Sequence, residues 1–146
     1  MGRVSASIDL HHPADRVFRV ATRIADLPRW MPEVIAAELL DPALATGSRV
    51  RLTLGPATGN AVITGAVEEL RPPTLLAIGG AGGPLTVKVR VKLDDRVAGT
   101  THVSLSVDIS TPPFLGFIAK EAERRILAEL PASLDRFRAL LDAEPA

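Results

Sequence analysis

The fold is decided by LTVKVRVKL at residues 85–93 and HVSLSVDI at residues 102–109. In the first, Leu85, Val87, Val89, Val91 and Leu93 share one face, and Thr86, Lys88, Arg90 and Lys92 the other. In the second, Val103, Leu105, Val107 and Ile109 oppose His102, Ser104, Ser106 and Asp108. A period of two describes strands with one face buried and one in water. Asp94-Asp95 and Gly99 mark a hairpin loop between them.

Downstream, Pro112-Pro113 opens a helix to about Asp142, roughly 45 Å long. Leu115, Ile118, Ala119, Ala122, Ile126, Leu127, Leu130, Leu134, Phe137, Leu140 and Leu141 take one half of its wheel. Charged residues such as Lys120, Glu121, Arg124, Arg125, Asp135 and Arg138 take the other. That apolar stripe exceeds the roughly 100° of a helix lying on a surface, so the helix sits in a groove. Pro131 removes one backbone bond and predicts a kink that lets the helix follow a curved sheet.

Upstream, Val4, Ala6, Ile8 and Leu10 alternate with Ser5, Ser7 and Asp9, a strand that His11-His12-Pro13 ends. Pro13 and Asp15 suit the first turn of a short helix reaching about Ala25. Asp26-Leu27-Pro28 restarts the chain as a second short helix or turn, ending at Trp30-Met31-Pro32. Further strands are read over residues 34–40, at 49–54 with Val50, Leu52 and Leu54 inward, and over 60–70. After Pro72-Pro73 a strand covers Leu75 to Ile78, and Gly79 to Pro84 form a loose turn. The expectation is an α+β chain: seven antiparallel strands wrapped around the long C-terminal helix, with two short helices after the first strand.

Composition narrows the classes. A chain of 146 residues is one domain's worth, so residues 1–146 are read as a single domain. With 17 basic and 17 acidic residues the net charge is zero, which argues against a nucleic-acid partner. There is no Cys for disulfides, thiolate nucleophiles or Cys-based metal sites. No apolar run of 18 residues and no signal-like block at MGRVSASIDL exist, so a cytoplasmic protein without stable membrane insertion is expected.

Three stretches carry a resemblance: His12-Pro13-Ala14-Asp15-Arg16-Val17-Phe18, Ile24-Ala25-Asp26-Leu27-Pro28-Arg29-Trp30-Met31-Pro32, and Gly99-Thr100-Thr101-His102-Val103. With the order of elements, they resemble the START-like (SRPBCC) superfamily, and within it the polyketide cyclase/dehydrase and lipid-transport family. The resemblance covers nearly the whole chain and implies the helix-grip fold, with a deep cavity between sheet and long helix for a hydrophobic small molecule. Some members carry or sense a ligand and others cyclise polyketide chains, so the fold alone does not choose. In aromatase/cyclase members a Trp at the turn matched by Trp30 looks cavity-lining. The deeper aromatic and basic polar groups of those enzymes are unmatched here, and the chain has no Tyr.

The expected ligand-binding wall is Trp30, Met31, Leu52, Leu54, Ile63, Val89, Leu105, Ile118 and Ile126 around roughly 300–1,000 Å³. Trp30 reads equally as cavity wall or as packed core aromatic. Phe114 and Phe117, on the polar side of the wheel, either cover the mouth, or pack on a second copy in a homodimer, or anchor a loop ahead of a later helix start. Strand 60–70 alternates poorly, and Gly65 suggests a bulge. If its Val62 face pointed inward, Thr64 and Glu68 would enter the cavity as the catalytic candidates, a desolvated Glu being suited to proton transfer. A solvated outer face is the competing assignment.

His11 and His12 read as a surface turn, His102 as solvent-facing, and no metal site is expected. The glycines at 79–83 lack the spacing of a phosphate loop, and no cofactor is implied. Binding or carriage of a lipid, polyketide or sterol-like molecule, without strong enzymatic activity, is the expectation. A polyketide cyclase/dehydrase-type enzyme using Thr64 or Glu68 is the alternative, and an interaction module with a filled interior the third class.

Overall fold

The computed structural model describes residues 2–31 and 33–144, the side chain of Ala57 excepted. In chain order the elements are β1 (Gly2–Leu10), α1 (Ala14–Ala21), α2 (Leu27–Trp30), β2 (Val34–Leu39), β3 (Arg49–Leu54), β4 (Val62–Arg71), β5 (Leu75–Gly82), β6 (Leu85–Val97), β7 (Thr100–Ser110) and α3 (Gly116–Ala143). Single 3-10 turns precede α2 at Ile24–Asp26, follow β3 at Pro56–Thr58 and precede α3 at Pro113–Leu115. The seven strands form one antiparallel sheet in the order β1-β7-β6-β5-β4-β3-β2. Curled around α3, it is the helix-grip arrangement.

Register turns the alternation into continuous rows. Val4, Val107, Val89, Ile78 and Val67 lie side by side across five strands on the concave face. Ala6, Leu105, Val91 and Leu76 form the next row. On the convex face Arg3 binds Asp108 at 3.0 Å, and Lys88 pairs with Glu68 at 3.3 Å. Against the concave rows α3 buries Ala119, Ala122, Ile126, Leu130, Leu134, Phe137 and Leu141. At 1.5 Å per residue its 28 residues span about 42 Å.

The far end of α3 is held by the segment after β1. The Arg16 guanidinium donates to the Leu141 and Glu144 carbonyls at 3.1 and 2.6 Å, satisfying acceptors that a helix C-terminus leaves open. His12 Nε2 lies 2.8 Å from Asp142 Oδ1, and Arg23 pairs with Glu144. The buried Thr101 hydroxyl donates to the His12 carbonyl at 2.7 Å, tying the same segment to β7.

Several local expectations are corrected. The irregularity of β4 lies at Glu68, between the pairs Val67–Ile78 and Glu69–Ala77, and not at Gly65. A bulge there sets two successive residues on one side. Both glutamates take the convex face, where Glu69 meets Arg71 at 3.0 Å and Arg90 at 4.0 Å. Gly79–Gly82 continue β5 rather than forming a turn, and only Gly83-Pro84 connect it to β6. Strand β6 likewise runs through Asp94-Asp95 to Val97, leaving Ala98-Gly99 as the turn. The C-terminal α-helix starts at Gly116 rather than Pro113. Leu127, on the apolar half of the wheel, is exposed.

The glycines of β4 and β5 permit the curl. A Cβ placed on Gly65 would lie 1.9 Å from the Gly79 carbonyl oxygen, and one on Gly82 equally close to that of Val62. Neither position admits a side chain without moving backbone. Gly65→Ala should therefore lower stability in chemical denaturation by about 3 kcal/mol. Gly116→Ala, where an added Cβ meets nothing, should change it by less than about 1 kcal/mol.

Candidate functional site

Between α3 and the concave face lies an apolar chamber of about 50 Å³. Leu52 and Leu54 on β3, Val87 and Val89 on β6, and Leu105, Val107 and Ile109 on β7 form its sheet wall. Ile126, Leu130 and Ser133 form the helix wall, since residues four and three apart fall on one helical face. Met31 and Val34 close it from the segment joining α2 to β2. Glu33 and Glu129 stand at the rim. A second chamber of about 10 Å³, lined by Leu27, Leu76, Ile78 and Val91, shares the walls Met31, Val34, Leu52 and Val89.

Of the sequence-derived wall, Met31, Leu52, Leu54, Val89, Leu105 and Ile126 meet around the larger chamber. Trp30 does not line it. Its ring centroid lies 4.5 Å from that of Phe137 on α3 at an angle of 44°, and it is fully buried. The indole Nε1 finds no hydrogen-bond partner among the described residues. Ile63 is buried against Gly80 and Gly82 instead, away from both chambers. Ile118 lines a separate open groove of about 470 Å³ with Thr58, Val62, Pro84 and Leu85. Phe114 and Phe117 are 78% and 69% exposed, so they are neither loop anchors nor part of the chamber.

The size differs most from expectation. The chamber falls well below 300 Å³ because Met31, Val89 and Ile126 close on it from three elements. Thr64 and Glu68 are exposed on the convex face, across the sheet from the chamber. The polar wall residue missed in the sequence is Ser133, 3% exposed, which follows Ile126 by seven positions. That heptad spacing was its only signal. Glu129 is the helical neighbour four residues before it. Glu33 is placed by Gly55, whose missing side chain leaves room for its carboxylate.

Electrostatic perturbation is confined to the outer surface among groups with resolved shifts. Hydrogen bonds from Arg124 and Arg125 hold the Glu121 carboxyl down at about 2. Arg49 holds Asp41 below its usual range by side-chain and backbone hydrogen bonds. His102 Nδ1 sits 2.6 Å from Asp9 on the convex face. No group of His, Asp and Glu arranged to hold a metal ion occurs among the described residues. No helix among them is long and apolar enough to cross a membrane.

This geometry has close counterparts. The family model for polyketide cyclase/dehydrase and lipid transport matches residues 1–142. The chain belongs to that family. No curated protein is matched by sequence. Among solved structures, the Zhui aromatase/cyclase of a Streptomyces species superposes with a TM-score of 0.79 at 16% identity, covering 97% of this chain and 93% of that one. A Thermus thermophilus protein gives 0.79 at 16%, covering 99% and 100%. A START superfamily protein of Mycobacterium smegmatis gives 0.73 at 16%, covering 96% and 97%. At such identities the shared property is the fold.

If the chamber is bounded as described, Leu105→Ala should enlarge it at a cost of about 2–5 kcal/mol. The same variant should bind more of an environment-sensitive apolar dye per folded molecule than wild type, read by fluorescence titration.

Proposed function

We propose that the protein binds a hydrophobic small molecule between α3 and the concave face, as a carrier or sensor rather than a catalyst. The observation that carries this reading is the chamber's wall, apolar on every side but one and set where the long helix crosses the sheet. Membership of a family described by polyketide cyclisation and lipid transport points the same way. The two chambers share four side chains, so a ligand that displaces them joins the spaces. Met31 is suited to yield, being unbranched and having three rotatable bonds.

Proton transfer needs a positioned acid or base within hydrogen-bond reach of the reacting atom. Thr64 and Glu68 lie on the wrong face of the sheet for that. A polyketide cyclase/dehydrase-type reaction is the second reading, and the rim carboxylates Glu33 and Glu129 favour it. Turnover that Glu129→Gln abolishes while apolar binding persists would establish that reading over the first.

The test of binding is native mass spectrometry of the purified protein with extraction of what it carries, followed by displacement of an apolar dye. Ile126→Trp should fill the larger chamber and weaken dye binding at least tenfold, with an overpacking cost of about 1–3 kcal/mol. Unchanged dye affinity in a folded Ile126→Trp protein would exclude the chamber as the site.

A further inference from the structure

Ser133 is the polar exception in the chamber wall. It is 3% exposed, lines the chamber from α3, and its hydroxyl has no hydrogen-bond partner among the described residues. Buried hydroxyls are ordinarily satisfied, so one left open towards a cavity is a place for a partner that arrives from outside. A serine hydroxyl both donates and accepts. Glu129, one turn earlier on α3 and exposed, puts a carboxylate beside Ser133 at the edge of the chamber. A second negative charge beside Glu129 would meet a like charge.

We propose that Ser133 anchors the polar end of the ligand, and that the ligand is an apolar body ending in a neutral hydrogen-bond donor, a phenol or an alcohol, rather than a carboxylate. This rests on the binding function proposed above and narrows it to a ligand class. The donor end faces the Ser133 oxygen and the rim, while the apolar body lies toward Leu105 and Val89 and, with Met31 displaced, into the second chamber. Free fatty acids and aromatic acids are disfavoured by the rim, and pure hydrocarbons leave Ser133 without a partner.

Three probes of matched shape separate these cases in calorimetric titrations of the full chain: 2-naphthol, naphthalene and 2-naphthoate. The expected order is 2-naphthol tightest, by about tenfold over naphthalene, with 2-naphthoate weakest. Ser133→Ala should erase the preference for 2-naphthol and leave naphthalene affinity within about twofold. Because the hydroxyl is unpartnered and Ala is the stronger helix former, the same variant should melt no lower than wild type.

Equal affinity for 2-naphthol and naphthalene, or a preference that survives Ser133→Ala, would overturn the anchor while leaving apolar binding intact. Tighter binding of 2-naphthoate would overturn the assignment of a neutral donor. Binding of none of the three would overturn the chamber as a ligand site and this inference with it. Glu129→Gln supplies an independent arm. It should raise 2-naphthoate affinity toward that of 2-naphthol, and no gain would remove the rim charge from the account.

Discussion

Everything in this molecule depends on one burial problem: an apolar stripe running the length of a 28-residue helix must be covered. A flat sheet covers a narrow band of a helix, so the sheet has to bend around it. The bend requires strands β4 and β5 to approach until no side chain fits between them, which is why glycine stands at 65 and 82. It also requires a bulge in β4, which adds local twist. The rows of valine, leucine and isoleucine across the concave face supply the area, at about 25 cal/mol per Å² of apolar surface removed from water.

The same solution leaves space in the middle. Near its start α3 buries small residues, Ala119 and Ala122. Near its end it is clamped by Phe137 on Trp30 and by Arg16 on its last carbonyls. Between these two ends the helix and the curved sheet leave a gap. The gap falls at Ile126 to Ser133. At about 24 cal/mol per Å³ of empty volume, 50 Å³ costs roughly 1 kcal/mol, a small sum that a bound apolar molecule would return.

Strand alternation in β6 and β7 and the width of the α3 stripe made the architecture legible before any coordinates, because both are local signals with many repeats. Features that hinge on a single residue were less so. A bulge at Glu68 rather than Gly65 depends on how β4 meets β5, which no pattern within β4 reveals. Gly79–Gly82 read as a turn because their composition matches one. Only the close pairing with β4 explains glycines in a strand. His12 meets Asp142 across 130 positions of chain, beyond any spacing rule. Chamber volume was least accessible of all. It depends on side-chain conformations of Met31, Val89 and Ile126 that residue types leave open, while the identity of most of the wall followed from strand parity alone.

Strand parity also decides where polar chemistry can reside. Ionisable residues of β6 and β7 such as Lys88, Arg90, Lys92, His102 and Asp108 are committed to the convex face by alternation, and the bulge at Glu68 sends both glutamates of β4 there as well. A side chain on these strands cannot reach the interior without slipping register and exposing a whole apolar row. The helix and the segment before β2 carry no such restriction, because a single helical position turns inward without obliging its neighbours to follow. Ser133, Glu129 and Glu33 all lie on those two elements. In a cage of this design the sheet supplies the apolar volume, and selectivity among apolar ligands falls to the helix and the loop that face it.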